Sequence, residues 1–212
     1  MKVLAEIIPA EGEFTREQIE AVRAEVAEKD RREREEFDRQ RWLAICPAIY
    51  DDALDFGKLS PRNHAKIRSI AAWERFPRSL FICGPTGQGK TRVAWAALKR
   101  QWQAGKGIMA KSSFQFSNDA LAVTTDAERT RGITSRYVSA DIVLIDDLGK
   151  RLPASAQQWL FEVIERRCSE RKAMVITSNE TVSSLGASLG DITMAEPLAR
   201  RVKEFFEVEV LQ

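Results

Sequence analysis

Histidine occurs once in these 212 residues and cysteine three times. Cys46, Cys83 and Cys168 are far apart with no C-x-x-C pair, which excludes a Cys/His zinc site and leaves three buried, reduced thiols as the expectation. Long apolar runs are missing too. No stretch approaches the roughly 20 residues of a membrane-spanning helix, so no membrane partner is expected. The start, Met1-Lys2-Val3-Leu4-Ala5-Glu6, puts an acid where a signal peptide needs apolar residues, and a cytoplasmic protein follows as the expectation. Neither sign of charge dominates: 33 Lys and Arg face 31 Asp and Glu, a net +2. Bulk electrostatics therefore neither demand nor exclude nucleic acid, and any DNA contact must be local. Internal repeats and low-complexity segments are absent. What is present, 44% hydrophobic residues with only 8% aromatic, suits one α/β core with an appendage.

The chain divides near residue 45. Residues 1–45 hold nine basic residues against twelve acidic ones, and the remainder is net basic. Thr15 with Gln18 reads as a capping box, Phe14 and Ile19 as a hydrophobic staple around it, and Glu25/Lys29, Glu28/Arg32 and Glu35/Arg39 as i,i+4 pairs. A long helix from about Arg16 to Arg41 follows. Its apolar stripe is thin (Ile19, Val22, Val26, Phe37), which fits either a solvated charged helix or an arm that docks on a partner.

After Pro47, strands and helices alternate. The pattern predicts a helix from Pro61 to Trp73 capped by Ser60, a strand over Leu80–Cys83, a helix over Lys90–Gln103 and a short strand around Ile108–Ala110. Helical stretches within 112–138 come next, then a strand Ile142–Ile145, a helix from about Ala154 to Arg171, a strand Met174–Thr177, and a last helix and strand within 197–210. Such βα alternation means a mostly parallel sheet covered by helices on both faces.

Residues 84 to 91 read Gly84-Pro85-Thr86-Gly87-Gln88-Gly89-Lys90-Thr91, a G-x-x-x-x-G-K-[ST] loop entered from the apolar run Ser79–Cys83. Its glycines let backbone N–H groups turn toward phosphates, Lys90 brings a charge to the β and γ oxygens, and Thr91 offers a hydroxyl to Mg²⁺. The helix that starts there aims its positive end at the same anion. Ile142-Val143-Leu144-Ile145 then ends in Asp146 and Asp147. That is a Walker B strand, expected beside the P-loop, with Asp146 holding Mg²⁺ and Asp147 orienting and deprotonating the attacking water. A third apolar run, Met174–Thr177, leads to Asn179, which can hold the γ-phosphate and water opposite Lys90.

These three segments, in this order and spacing, resemble the AAA+ ATPases of the DnaC, DnaI and IstB group, which comprises replicative-helicase loaders and transposition helpers. Cys46-Pro47-Ala48-Ile49-Tyr50 and Trp159–Arg167 are similar to that group as well. The resemblance covers about residues 46–210. It implies a P-loop NTPase with an AAA+ core over 46–212, without a separate C-terminal lid, behind a helical arm over 1–45. It also implies Walker A residues Lys90 and Thr91, Walker B residues Asp146 and Asp147, sensor 1 at Asn179, and an arginine finger in Pro197–Val202, with Arg201 ahead of Arg200. Ile49 and Tyr50 would wall the adenine. The family's further Arg, four residues past the finger, is here Phe205. The resemblance also implies ATP and Mg²⁺ as ligands, ATP-dependent homo-oligomers, and single-stranded DNA along Lys111, Ser112, Phe114, Phe116, Arg129, Arg131 and Arg136; residues 1–45 are not matched to the group, so the arm's partner does not transfer from it and is a replicative helicase only if the chain is a loader. Phe114 and Phe116 as core residues are the alternative. The function implied is an ATP-hydrolysing helicase loader; a transposition helper or a non-hydrolysing, ATP-dependent scaffold are the rivals.

Overall fold

A computed structural model describes residues 15–52, 54–74, 78–123, 127–149, 152–189 and 192–212. Met1–Phe14 lie outside the described residues, and with them the signal-peptide reading and the staple on Phe14. The chain forms two units, residues 1–44 and 45–212.

Among the described residues the first unit forms one helix, α1 (Arg16–Leu43). The capping box forms: Gln18 N–H donates to Thr15 Oγ1 at 3.3 Å, and Thr15 N–H to Gln18 Oε1 at 2.9 Å, a device that stabilises a helix by about 1 kcal/mol. Glu28 accepts from Arg32 at 3.0 Å and also pairs with Arg31. Being exposed, these pairs contribute only about 0.3–0.5 kcal/mol each. Ile19, Val22 and Phe37 of the apolar stripe are exposed.

The second unit runs α2 (Ala48–Asp51), α3 (His64–Ala71), β1 (Ser79–Cys83), α4 (Lys90–Gln103), β2 (Ile108–Ser112), α5 (Ser113–Val123), α6 (Ala127–Ser139), β3 (Ile142–Leu148), α7 (Ala154–Ser169), β4 (Ala173–Ser178), α8 (Val182–Leu189), α9 (Ile192–Phe205) and β5 (Phe206–Val210). The strands form one sheet in the order β2-β3-β4-β1-β5, with every neighbouring pair parallel. The Walker B strand does not pair with the P-loop strand, because β4 lies between them, yet its carboxyl end meets the P-loop, where Thr91 bonds Asp146. Burial explains the order. Every residue of β1 and β4 is buried, as interior strands require, whereas all five of β2 are half-buried and suit an edge.

Alternation along the strands sorts the core. Phe81, Val143, Ile145, Met174 and Ile176 join the cluster built with Phe116, Tyr137, Trp159, Leu160, Leu198 and Val202 from α5, α6, α7 and α9. Leu80, Ile82, Ile142, Leu144 and Val175 are equally buried but stay outside that cluster; α4 packs on β1 and β4, and α3 packs on α4. Continuing that second set by twos reaches Asp146 on β3 and Thr177 on β4.

Some expected bounds shift for identifiable reasons. Residues 61–63 form a 3-10 turn, Ser60 makes no cap bond, and α3 starts only at His64. Asn63 is occupied elsewhere: its amide accepts from Gln212 N–H at 3.0 Å and donates to Gln212 O at 2.9 Å and to Gln88 Oε1 at 3.0 Å. With Lys66, which donates to Val210 O at 2.7 Å, it caps the outer side of edge strand β5. The last helix begins at Ile192, so Pro197 sits inside it, and α8 was not anticipated. Arg167 is fully buried and donates to the carbonyls of Tyr137, Val138, Ala140, Asp141 and Ala173, fastening the end of α6 to the starts of β3 and β4. Removing it would orphan those carbonyls, at about 1–3 kcal/mol for each one left unsatisfied.

Candidate active site

The loop after β1 has the backbone a phosphate cradle needs. Gly84 has φ 142° and passes so close to the chain after β5 that a Cβ would lie 2.0 Å from Leu211 O. Gly89, with φ 83°, is the N-cap of α4. Lys90 is only 8% exposed; its ammonium donates to Pro85 O and to Asn179 Oδ1, both at 2.8 Å. Burial lowers its pKa, against the opposing fields of Asp147 and Asp146.

The two carboxylates sit on an irregularity. Ile145 pairs with Ile176, but the next pair is Leu148 with Ser178, so β3 holds one residue more than β4. This bulge leaves Asp146 on the α4 side and returns Leu148 to the opposite core cluster. Asp147 takes up the turn in the left-handed region, φ 60°, uncommon for a residue other than glycine. Asp146 Oδ1 accepts from Thr91 Oγ1 at 2.9 Å and from Thr177 Oγ1 at 2.6 Å, and Asp147 N–H donates to Thr177 Oγ1 at 2.8 Å. Asn179 Nδ2 donates to Asp147 Oδ1 at 3.1 Å, and Thr86 Oγ1 lies 3.4 Å from Asn179 Oδ1.

Around these groups opens a cleft of about 560 Å³, lined by Thr86, Gly87, Gly89, Lys90, Thr91, Asp147, Thr177 and Asn179, with Leu59, Tyr50 and Arg92. The structure thus brings most of the expected site residues to one place. Tyr50 joins them; its hydroxyl pKa is raised by burial and by Asp146, and Arg92 stands 5.7 Å from its ring centroid. Ile49 is 64% exposed and is not among the lining residues. Gln88 turns to Asn63. Arg201 is engaged within its own chain, with Glu165 on α7, bonded through Nε and at 3.0 Å through Nη2, and with Glu204 at 3.2 Å. Arg200 is exposed.

Thr177, Arg92 and Asn63 escape a motif search. The signal for Thr177 was available: it ends the apolar run two residues before Asn179, in phase with Val175. Of the residues expected along DNA, Phe114 is 74% exposed, while Phe116 is buried and stacks on Trp159 at 4.7 Å. Arg131 and Arg136 are exposed, Lys111 pairs with Asp119 at 2.9 Å, and the side chain of Arg129 lies outside the described residues. Among the described residues no group of three His, Cys, Asp or Glu side chains could hold a metal, and no helix is long and apolar enough to cross a membrane.

A parallel sheet with a strand inserted between the P-loop strand and the acid-bearing strand, and all three loops meeting in one cleft, defines a P-loop nucleotide-binding protein of the AAA+ class. The model of the IstB-like ATP binding proteins matches residues 15–210, and the chain belongs to that family. No curated protein matches it. Among solved structures, the DnaC helicase loader is similar over 81% of this chain and 99% of its own, with TM-score 0.60 and 20% identity. DnaI matches over 82% and 94%, with TM-score 0.60 and 14% identity. A DNA replication initiation factor matches over 79% of this chain, with TM-score 0.60 and 17% identity; the chain spans 50% of that protein's length. At such identities the likeness is one of fold.

Proposed function

We propose that this ATP-binding protein hydrolyses ATP between copies of itself and uses the cycle to load a replicative DNA helicase. The observation that carries hydrolysis is the line from Lys90 through Asn179 to Asp147, a cation, an amide and a carboxylate in unbroken hydrogen-bond contact along the P-loop cleft. Lys90 offsets phosphate charge in a site otherwise made of neutral amides. Asp147 aligns the attacking water and takes its proton, and Asn179 steadies that carboxylate.

Thr91 and Asp146 fit a magnesium ion: a hydroxyl and one carboxylate, 2.9 Å apart, are the hard oxygen donors it takes when its other positions go to water and phosphate. When bound it would supply positive charge to the β and γ oxygens. We assign the base to the side of the cleft that Tyr50 lines.

Loading is supported by the match to nearly the whole DnaC helicase loader. A transposition helper is the second reading, favoured by the family match over 15–210. Single-stranded DNA is the proposed activator: exposed Phe114 offers a stacking face, and Arg131 and Arg136 offer charge for phosphates. The cytoplasm is the proposed compartment.

Phosphate release should be measurable, rise with single-stranded DNA, and fall about 100-fold or more in Asp147→Asn, which keeps its shape and its ATP but lacks the base. Undiminished turnover in that variant would remove Asp147 from the reaction. Capture of a replicative helicase, not a transposase, by the tagged full chain separates loader from helper.

A further inference from the structure

The bulge in β3 creates a problem that β4 solves with a side chain. One extra residue between Ile145 and Leu148 interrupts the regular ladder where the two acids lie. Asp147 there has φ 60°, a conformation that costs an ordinary residue stability and persists only where neighbours hold it. The neighbour is Thr177, 1% exposed, whose hydroxyl accepts the Asp147 N–H at 2.8 Å and donates to Asp146 Oδ1 at 2.6 Å. One hydroxyl thus accepts from the backbone of one acid and donates to the carboxylate of the other.

We propose that Thr177 is a positioning residue of the ATPase site, setting the metal-facing carboxylate and the water-facing carboxylate together through its single hydroxyl. This rests on the hydrolytic reading given above. Asp146 Oδ1 receives two hydroxyl donors, Thr91 from α4 and Thr177 from β4, and two fixed donors on one oxygen settle the plane of the carboxylate. The Asp147 backbone, pinned at its N–H, presents its own carboxylate toward Asn179. Without the hydroxyl both constraints weaken at once: the first acid keeps only its Thr91 donor, about which it can turn, and the second can relax out of the left-handed region. Serine keeps the hydroxyl. Valine keeps the shape and loses it.

The test compares Thr177→Val and Thr177→Ser in the full chain by two readouts. The first is equilibrium titration of a fluorescent ATP analogue with and without Mg²⁺, which needs no turnover; the second is phosphate release. Thr177→Val should lose about 10- to 100-fold of the affinity gain that Mg²⁺ brings, a loss typical of residues that orient metal ligands, while metal-free binding stays near wild type. Its kcat should fall in step, and Thr177→Ser should restore both. A Thr177→Val protein with an intact Mg²⁺ gain and turnover overturns the proposal, as does a Thr177→Ser protein impaired as much as the valine variant. Should wild type bind Mg²⁺-ATP without hydrolysing it, the ATPase reading fails, and the Mg²⁺ gain still decides whether Thr177 orients Asp146. If Thr177→Val does not fold, Thr177→Ala replaces it against serine; if neither folds, the hydroxyl serves the fold and the site-specific role is overturned.

Discussion

Lys90 carries its charge in a place that disfavours it. Burial pulls its pKa below the ordinary 10.5, although Asp147 and Asp146 pull the other way. Bound phosphate oxygens would favour the ammonium and raise the pKa again. Nucleotide affinity should therefore be full below the free-state pKa and fall as pH rises through it, starting earlier than for an exposed lysine. Titrating ATP from neutral pH upward checks this, and a flat profile to pH 10.5 would mean that Lys90 is not desolvated. Residues like this one were legible in the sequence because consecutive backbone atoms set their geometry: the P-loop places Lys90 and Thr91, and the end of an apolar strand places Asp146. The phase of its strand marked Thr177, but neither its partners nor those of Asn63 were legible. Their partners are 30 or 31 and 149 residues away in the chain, and only the insertion of β4 and the docking of α3 bring them together.

At the scale of elements, the bounds of α4 match their expectation because Gly89 at its start and Gly105, with φ 82°, just past its end punctuate the helix locally. Strand order did not follow from local pattern, since it depends on which strands must be buried on both faces. Phe114 and Phe116 show a related limit: two positions apart near the start of α5, one is exposed and the other stacks on Trp159. On α9 the adjacent arginines divide in the same way. Arg201 is tied to Glu165 and Glu204, so it braces α9 on α7, and Arg200 projects outward. We assign the finger to Arg200, reversing the order the motif suggested. Arg200→Ala should keep ATP but turn it over about 1,000-fold more slowly. Mixed with Asp147→Asn subunits it should recover part of the rate, because one kind of interface in the mixture has both groups intact. Rescue by Arg201→Ala instead, in confirmed co-assemblies, would return the role to Arg201.

For the molecule as a whole, every group proposed for catalysis lies in the unit of residues 45–212, and none in residues 1–44. The helix α1 keeps a capping box and charged pairs of its own, so local interactions sustain much of it. Three residues of its apolar stripe meanwhile remain exposed, Ile19 by 41%, Val22 by 37% and Phe37 by 61%, while Val26 is half-buried and Trp42, at the helix end, is buried. An amphipathic helix anchored by a few apolar side chains is a common way to occupy a partner's groove, and a handful of such anchors dominates binding energy. Removing residues 1–44 should therefore leave ATP affinity near wild type and abolish capture of the helicase. In the intact chain, Phe37→Ala together with Ile19→Ala should weaken capture by about 1,000-fold without altering phosphate release, since truncating each interface anchor costs about 2 kcal/mol or more. Capture at full affinity by the truncated protein would move the docking surface to the ATPase unit. Loss of ATP binding on truncation would show that the arm supports the nucleotide site itself.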